Sequence, residues 1–268
     1  PPESHTALAP DSKQIEQVAK QLCLAKRPML VVGGGAQHAS SEVLRMAEML
    51  QAPVTFFRSG KGVIDERHYL SQSFPAGHRL WADADVVLAI GTRLKYQQMY
   101  WGLDKNLKIL RIDIDPTEIN RISTPEIGIV ADARTALEAL LTAVESHNIP
   151  RPSRREELNY LKTEFQEAFE DKIAPQMGYL RVIREELPED GFFVDEVTQV
   201  GFASWYAFPT YHPRHFISAG YQGTLGYGYA TALGVQAAHP DKKVVAIAGD
   251  GGFLFNVQEL ATAVQYGL

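Results

Sequence analysis

One stretch near the end of the chain decides the fold, and it reads Val244-Val245-Ala246-Ile247-Ala248-Gly249-Asp250-Gly251-Gly252. Five small or branched apolar residues in a row predict a buried strand, and the glycines after them predict a tight turn. The turn presents one carboxylate, Asp250, at the carboxyl end of the strand. Ligands of open α/β sheets bind at that end of the strands, so we expect Asp250 to lie in a binding site.

The residues around Asp250 suit a bound cation and a phosphorylated ligand. An unpaired carboxylate at the end of a buried strand is costly, and Mg²⁺ would compensate it while sharing phosphate oxygens. Glycines let backbone N–H groups approach those oxygens, and a following helix N-terminus adds a favourable dipole. The alternative is a tight turn with an exposed Asp, because Asp-Gly is a common turn dipeptide.

The second half of the chain predicts two more short strands, at 192–194 and 215–217. Between the latter and the strand at 244–248 lies a glycine-rich run, Gly220-Tyr221-Gln222-Gly223-Thr224-Leu225-Gly226-Tyr227-Gly228. It opens a helix of small residues that extends to about His239, and a last helix is expected after Gly252. Three strands leave a thin sheet with an uncovered edge, so we expect this domain to be incomplete.

The first half alternates apolar strands with helical patterns. The predicted strands are 28–32, 54–57, 85–90, 107–112 and 127–130, and the longer helices include 40–50 and 133–144. Continuous apolar strands separated by helices predict a buried parallel sheet. The predicted fold class is therefore α/β, with two three-layer, parallel-sheet domains. A Rossmann-like domain covers 1–147, a linker and connecting helix 148–178, and the incomplete second domain 179–268.

Two motifs in the expected order resemble those of thiamine-diphosphate enzymes. The run from Gly249 to Ala263 is similar to the diphosphate-binding signature of the acetolactate synthase-like group, in which Glu-Leu-Ala-Thr-Ala follows Gly-Asp-Gly. The run from Gly223 to Gly228 resembles the second glycine-rich turn of that group. Val197-Thr198-Gln199 falls where a strand end meets the diphosphate. The first half resembles the central domain of the family, so the resemblance spans essentially the whole chain.

The resemblance implies a role for individual residues. Asp250 would bind Mg²⁺, the glycines after it would lie along the diphosphate, and Gly223 would offer its backbone to the aminopyrimidine. Leu225 would be the apolar wedge that bends the cofactor, with ordinary core packing as the alternative. Bending holds the cofactor's own nitrogen close to the reacting carbon in a dry site. The cofactor-binding residues expected in this way are Gln199, Gly223, Thr224, Leu225, Gly249, Asp250, Gly251 and Gly252.

Two further residues of the family's site are not expected in this chain. The catalytic glutamate belongs to an N-terminal domain, and the second metal ligand is an Asn well beyond the Asp. We therefore expect the chain alone to be inactive. Asn256-Val257-Gln258-Glu259 has capping-box spacing, so we predict that Asn256 caps the final helix instead of binding metal.

The first half has glycine and acidic turns of its own at 33–36, 60–62, 91–93 and 113–115. In acetolactate synthases such positions hold FAD, and in some relatives an ADP-like nucleotide. The turn at 33–35 does not complete a Gly-x-Gly-x-x-Gly fingerprint. Leu94-Lys95-Tyr96 also departs from the acidic pair expected for flavin-binding synthases. We predict a scaffold domain without nucleotide, with bound FAD or an ADP-like nucleotide as the alternative.

Composition narrows the class of protein. Of the 268 residues, 45% are hydrophobic and 22% charged, which is typical of a soluble globular protein. A net charge of −6 without a basic cluster argues against nucleic-acid or membrane-surface partners. No apolar run reaches the roughly 20 residues of a membrane helix. A single cysteine, Cys23, fits a reducing compartment, so we expect a cytoplasmic protein. Because the chain starts at Pro1 and not at Met, we expect it to begin within a longer protein.

The resemblance implies an enzyme that uses thiamine diphosphate and Mg²⁺ to decarboxylate or join 2-keto acids. Acetolactate synthase-like activity is the leading expectation, and benzoylformate decarboxylase-, benzaldehyde lyase- and oxalyl-CoA decarboxylase-like activities stay open. In this family the cofactor lies between subunits, which implies a homodimer or homotetramer. Two alternatives of other classes are a nucleotide-dependent oxidoreductase, from the two Rossmann-like halves, and a non-catalytic scaffold.

Overall fold

A computed structural model describes residues 8–220 and 222–268, so Tyr221 of the glycine-rich run and the first seven residues lie outside the described part. The chain divides into two compact units. The first contains 8–56 and 68–162, and the second contains 57–67 and the described residues of 163–268. Each unit has a parallel β-sheet, which confirms the predicted α/β fold with two parallel sheets.

The first unit is built on a six-stranded sheet of order β3-β2-β1-β4-β5-β6 in which every pair is parallel. The order reverses direction between β1 and β4, and such switch points are the usual ligand sites of doubly wound sheets. The strands are β1 Pro28–Val32, β2 Val54–Phe56, β3 Ser71–Gln72, β4 Val86–Ile90, β5 Lys108–Asp113 and β6 Ile127–Val130. Both β1 and β4 are buried along their whole length, as their continuous apolar sequences predict.

The longer helices of the first unit each bury an apolar face. The helical spacing of Ile15, Val18 and Leu22 marks the buried face of α1. Asp11 and Asp132 cap α1 and α5 by accepting the N–H groups of Lys13 and Thr135 at 2.7 and 3.1 Å. The helices are α1 Ser12–Leu24, α2 Ser40–Leu50, α3 Phe74–Trp81, α4 Pro116–Ile119 and α5 Ala133–His147. A further helix, α6 Arg155–Lys172, begins in this unit and ends in the second.

The second unit has a three-stranded parallel sheet of order β8-β7-β9. The central strand is β7 Phe192–Val194, flanked by β8 Phe216–Ile217 and β9 Val244–Ala246. Phe193 packs on Phe208 and Phe216 with ring centroids 4.2 and 5.5 Å away, and these rings form the centre of its core. The helices are α7 Ala174–Glu186, α8 Gln199–Ala207, α9 Tyr227–Ala238, α10 Asp250–Leu254 and α11 Leu260–Tyr266.

Two local expectations need correction in this unit. The strand predicted at 244–248 ends at Ala246 and is only half-buried. The helix expected after Gly252 begins earlier, as α10 at Asp250, and a 3-10 turn at Val257–Glu259 separates it from α11. Pro175 lies in the first turn of α7, where its missing N–H costs nothing.

The segment 57–67 groups with the second unit although the strands on either side of it belong to the first. Gly62 has φ +75°, and a Cβ placed on it would lie 2.2 Å from the carbonyl oxygen of His212. Lys61, which is fully buried, forms an ion pair of 2.9 Å with Glu66. Gly62 of the predicted 60–62 turn thus allows a close approach to the backbone of His212.

Among residues 8–220 and 222–268, no helix is both long and apolar enough to cross a membrane.

Candidate functional site

The predicted motifs of the second unit meet at the carboxyl end of β7. A Cβ placed on Gly223 would lie 3.5 Å from Val197 Cγ2, and one on Gly249 would lie 3.5 Å from Thr198 Cγ2. After β7 the chain continues with two acidic residues, Asp195 and Glu196, and then with Val197 and Thr198. The glycine-rich turn at 223–228, the turn at 249–252 and the end of β7 are therefore neighbours, as the sequence predicts for one site.

Asp250 lies in this region but is not buried. Its side chain is exposed, and its Oδ1 accepts the N–H of Gly251 at 2.8 Å. The prediction that Asp250 is a buried charge in need of a cation is therefore wrong. The physical reason is that β9 ends at Ala246, so Asp250 begins α10 instead of extending the strand.

The ligand set around Asp250 is correspondingly small. Within the described ranges, no group of three or more His, Cys, Asp or Glu side chains is placed to hold a metal ion. Asp250 alone could offer one carboxylate, which suits Mg²⁺ that takes its other oxygens from phosphate and water. A Cβ on Gly251 would meet nothing within 4 Å, so space for such a ligand exists beside it.

The turn that carries Leu225 is exposed, and its end is conformationally special. Gly223, Thr224 and Leu225 are exposed, with 50% of Leu225 accessible. Gly226, the N-cap of α9, has φ +81°, a conformation that favours glycine. Half-exposure means that Leu225 does not belong to the core of this unit, which weakens the core-packing alternative.

Gln199 is the first residue of α8. Its Oε1 accepts a hydrogen bond from Gln176 Nε2 at 2.8 Å, whereas Thr198 caps α8 by accepting the N–H of Gly201 at 2.7 Å. Val197 and Thr198 face the glycine turns, and the Gln199 side chain is engaged by α7. A contact between Gln199 and a cofactor stays a prediction.

Sequence reasoning missed the two carboxylates, Asp195 and Glu196, that directly follow β7. Glu196 is 3% exposed, and its Oε1 and Oε2 accept the N–H groups of Gly226 and Gly228, each at 2.8 Å. Asp195 is 2% exposed and accepts hydrogen bonds from Ser218 Oγ at 2.9 Å and from Trp205 Nε1. Burial raises the pKa of the Asp195 carboxyl. An apolar strand that runs into acids is the signal that singled out Asp250, and it could have found both.

The predicted capping role of Asn256 is wrong. Asn256 precedes the 3-10 turn at Val257–Glu259 but makes no side-chain capping bond there. Its Nδ2 instead donates to the carbonyl oxygen of Gly226. The capping-box pattern is local, whereas this partner lies 30 residues earlier in the chain, so spacing alone could not reveal it.

The first unit has a cleft of about 310 Å³ at the carboxyl ends of its strands. Gly33 and Gly35 donate their N–H groups to the carbonyls of Ile90 and Gly91, at 3.1 and 3.0 Å, so these amides serve the packing of two turns. The ionisable side chains that line the cleft are Asp113, Asp115, Glu118, Asp132, Arg93 and His38. An excess of carboxylates disfavours a phosphate group, which supports the prediction of a scaffold without nucleotide; it stays a prediction.

Comparison with known proteins matches both halves of the chain to one family. Residues 15–140 match the model described as "Thiamine pyrophosphate enzyme, central domain". Residues 196–268 match "Thiamine pyrophosphate enzyme, C-terminal TPP binding domain". The chain therefore belongs to the thiamine pyrophosphate-dependent enzymes, and within them it is acetolactate synthase-like.

Individual relatives agree with this family. A protein named as a probable 2-ketoarginine decarboxylase from Pseudomonas aeruginosa is 33% identical over 260 residues, covering 95% of this chain and 46% of the relative. A probable acetolactate synthase large subunit from Methanocaldococcus jannaschii is 35% identical over 277 residues, covering 95% and 46%. The acetolactate synthase large subunit of Haemophilus influenzae is 33% identical over 273 residues, covering 95% and 47%. The chain spans about half the length of these relatives.

Proposed function

We propose that this chain anchors the diphosphate of thiamine diphosphate together with Mg²⁺ in an enzyme that acts on 2-keto acids. The observation that carries the proposal is the meeting of the turns at 223–228 and 249–252 at the end of β7. Both turns are rich in glycine and lie at one edge of a parallel sheet, where phosphorylated ligands bind. Family membership gives the identity of the ligand.

In this proposal each residue of the chain has a limited task. Asp250 holds the metal ion, and Gly249, Gly251 and Gly252 allow the diphosphate to approach the backbone. Gly223 and Thr224 face the pyrimidine side, and Leu225 supports the bent form. When bound, thiamine diphosphate supplies the nucleophilic carbon and the electron sink for breaking or forming a bond next to a carbonyl.

The substrate class follows from the relatives and is a proposal for the whole protein. The named relatives are acetolactate synthases and a 2-ketoarginine decarboxylase, and both names denote chemistry on a 2-keto acid. We propose carbon–carbon bond cleavage or formation on such an acid, with a homodimer or homotetramer in the cytoplasm. A panel of 2-keto acids that includes 2-ketoarginine, assayed for CO₂ release and for coupled products, distinguishes the two activities.

Calorimetric titration of the whole protein with thiamine diphosphate, with and without Mg²⁺, tests the anchor. Asp250→Asn removes the carboxylate charge at nearly constant size and is expected to weaken Mg²⁺-dependent binding by about tenfold or more. Asp241→Asn is the matched control, because Asp241 is an exposed aspartate just before β9. Binding that is independent of Mg²⁺, or equal in the two variants, contradicts the proposed role of Asp250.

A further inference from the structure

The carboxylate of Glu196 caps α9 from a distant part of the chain. Gly226 is the N-cap of this helix and Gly228 its second residue, and Glu196 accepts both N–H groups at 2.8 Å. The first N–H groups of a helix have no partner within the helix, and a negative charge there is favourable. The Glu196 carboxylate is therefore buried, and each of its two oxygens accepts a hydrogen bond.

Asn256 binds the carbonyl group of Gly226, whose N–H is bound by Glu196. Its Nδ2 donates to the carbonyl oxygen of Gly226, while the N–H of Gly226 is taken by Glu196. A Cβ placed on Gly226 would lie 2.8 Å from both Asn256 Nδ2 and Phe255 Cβ. Both polar backbone groups of Gly226 are thus hydrogen-bonded, and a side chain at this position would clash with its neighbours.

The same carboxylate also touches the turn that carries Asp250. A Cβ placed on Gly252 would lie 1.8 Å from Glu196 Oε1, and one on Gly228 would lie 2.7 Å from Glu196 Oε2. Gly252 and Gly228 belong to the two different glycine-rich turns. The Glu196 carboxylate is therefore packed between them and fixes the spacing of one turn from the other.

We propose that Glu196 and Asn256 form a clamp on Gly226 that positions Leu225 relative to Asp250. Leu225 is half-exposed, so its own packing does not fix it, and the residue after it is a glycine with wide conformational freedom. The clamp supplies the missing restraint through the backbone. Glu196 and Asn256 are positioning residues, and this role rests on the proposed function, in which Leu225 and Asp250 face the same cofactor.

Hydrogen–deuterium exchange on the whole protein without cofactor tests the clamp itself. Glu196→Ala is expected to speed exchange of the Gly226 and Gly228 amides by about tenfold or more, since each loses a hydrogen bond to a charged group. Glu196→Gln keeps one acceptor and should lie between Glu196→Ala and the unmutated protein. Asn256→Ala should speed exchange at Gly226 to a smaller extent, and this milder variant keeps the test usable if Glu196→Ala does not fold.

Two control variants distinguish loss of the clamp from a general loss of stability in this unit. Gln258→Ala removes an amide that donates to a backbone carbonyl, Phe255, in the same stretch of chain but does not touch Gly226. Asp195→Asn neutralises the neighbouring buried carboxylate, whose partners are Trp205 and Ser218. Neither should change exchange at Gly226 or Gly228. Unchanged exchange in Glu196→Ala and Asn256→Ala, or equal acceleration in the controls, would overturn the clamp.

Cofactor titration and steady-state kinetics test what the clamp does. Asn256→Ala is expected to lower kcat by about fivefold, the worth of one hydrogen bond, with KM for the 2-keto acid unchanged. Faster exchange without any change in kcat or in cofactor affinity would overturn the positioning role. If the unmutated protein binds no thiamine diphosphate, the proposed function is wrong. Hydrogen–deuterium exchange alone would then test the clamp.

Discussion

The indole Nε1 of Trp205 donates a hydrogen bond to the Asp195 carboxylate, which joins α8 to the end of β7. Ser218 Oγ donates to the same oxygen at 2.9 Å, and only 2% of Asp195 is exposed. Burial raises the pKa of this carboxyl despite both hydrogen bonds. An asparagine, which is neutral and has the same shape, could accept hydrogen bonds from both donors without the cost of a buried charge.

Asp195→Asn is therefore expected to gain stability relative to the unmutated protein as the pH rises. A carboxyl whose pKa is raised by folding stabilises the folded state below its unfolded pKa of about 3.9, and this contribution is lost as the pH rises through the folded pKa. Asn does not titrate and shows no such loss. The difference in the free energy of unfolding, measured by urea denaturation at about pH 4.5 and pH 7, should move in favour of Asp195→Asn at pH 7.

Asp190→Asn provides the control of opposite sign. A hydrogen bond from Lys242 lowers the pKa of the exposed Asp190 carboxyl. A lowered pKa gives stability that is present above the unfolded pKa and lost as the pH falls through the folded pKa. This variant should therefore lose stability relative to the unmutated protein at pH 7. The same sign of pH dependence in both variants would contradict the assignment for Asp195.

Gly226→Ala should destabilise the protein by about 2 kcal/mol or more, because φ is +81° and a Cβ meets neighbours at 2.8 Å. Gly234→Ala is the matched substitution within α9, where a Cβ meets nothing within 4 Å. It should stabilise the helix by about 0.5 to 1 kcal/mol. Chemical denaturation of both variants gives the comparison, and a neutral Gly226→Ala would show that this turn is not restrained.

Local sequence was sufficient for most of the sheet positions. The strands β1 and β7 begin and end where their apolar runs do, at Pro28–Val32 and Phe192–Val194. A run of apolar, often β-branched residues between turn residues leaves few other arrangements for a buried segment. The short strand β3, Ser71–Gln72, consists of two polar residues and has no such pattern. It is a strand only because it pairs with β2.

The site was predicted in part, and the missing part depends on distant contacts. The turns at 223–228 and 249–252 carry glycine patterns that can be recognised in the sequence alone. The partners of Glu196, Asn256 and Gly62 lie 30 or more residues away along the chain, and no local periodicity encodes them. The burial predicted for Asp250 depended on the length of β9, and the end of a strand is harder to predict from sequence than its existence.

The buried ion pair of Lys61 and Glu66 gives a test of the 57–67 segment. Lys61 is fully buried, with Nζ 2.9 Å from Glu66 and 5.2 Å from the ring centroid of Phe216. Glu66→Gln removes the carboxylate charge that lies 2.9 Å from the buried Lys61 ammonium and should cost about 3 kcal/mol in the free energy of unfolding. The double variant Lys61→Met/Glu66→Gln should recover most of this loss, because a neutral apolar side chain suits the site.

An exposed ion pair serves as the reference for that experiment. Arg181 and Glu170 lie 2.8 Å apart with 56% and 40% of their side chains accessible, so Glu170→Gln should cost less than about 1 kcal/mol. Urea unfolding of Lys61→Met, Glu66→Gln and the double variant forms a double-mutant cycle for the buried pair. If Glu66→Gln costs no more than Glu170→Gln, the Lys61–Glu66 ion pair does not stabilise the 57–67 segment.

Leu225→Ala separates a cofactor-side role from packing. Leu225 and Leu254 are both exposed, by 50% and 66%, so truncation of either should change the free energy of unfolding by less than about 1 kcal/mol. If Leu225 supports the bent cofactor, Leu225→Ala lowers kcat of the whole protein, Leu225→Met retains most of it, and Leu254→Ala leaves it unchanged. A stability loss of about 2 to 5 kcal/mol in Leu225→Ala, typical of a buried leucine, would instead indicate packing against another chain. Equal kcat values for Leu225→Ala and Leu254→Ala would remove Leu225 from the site.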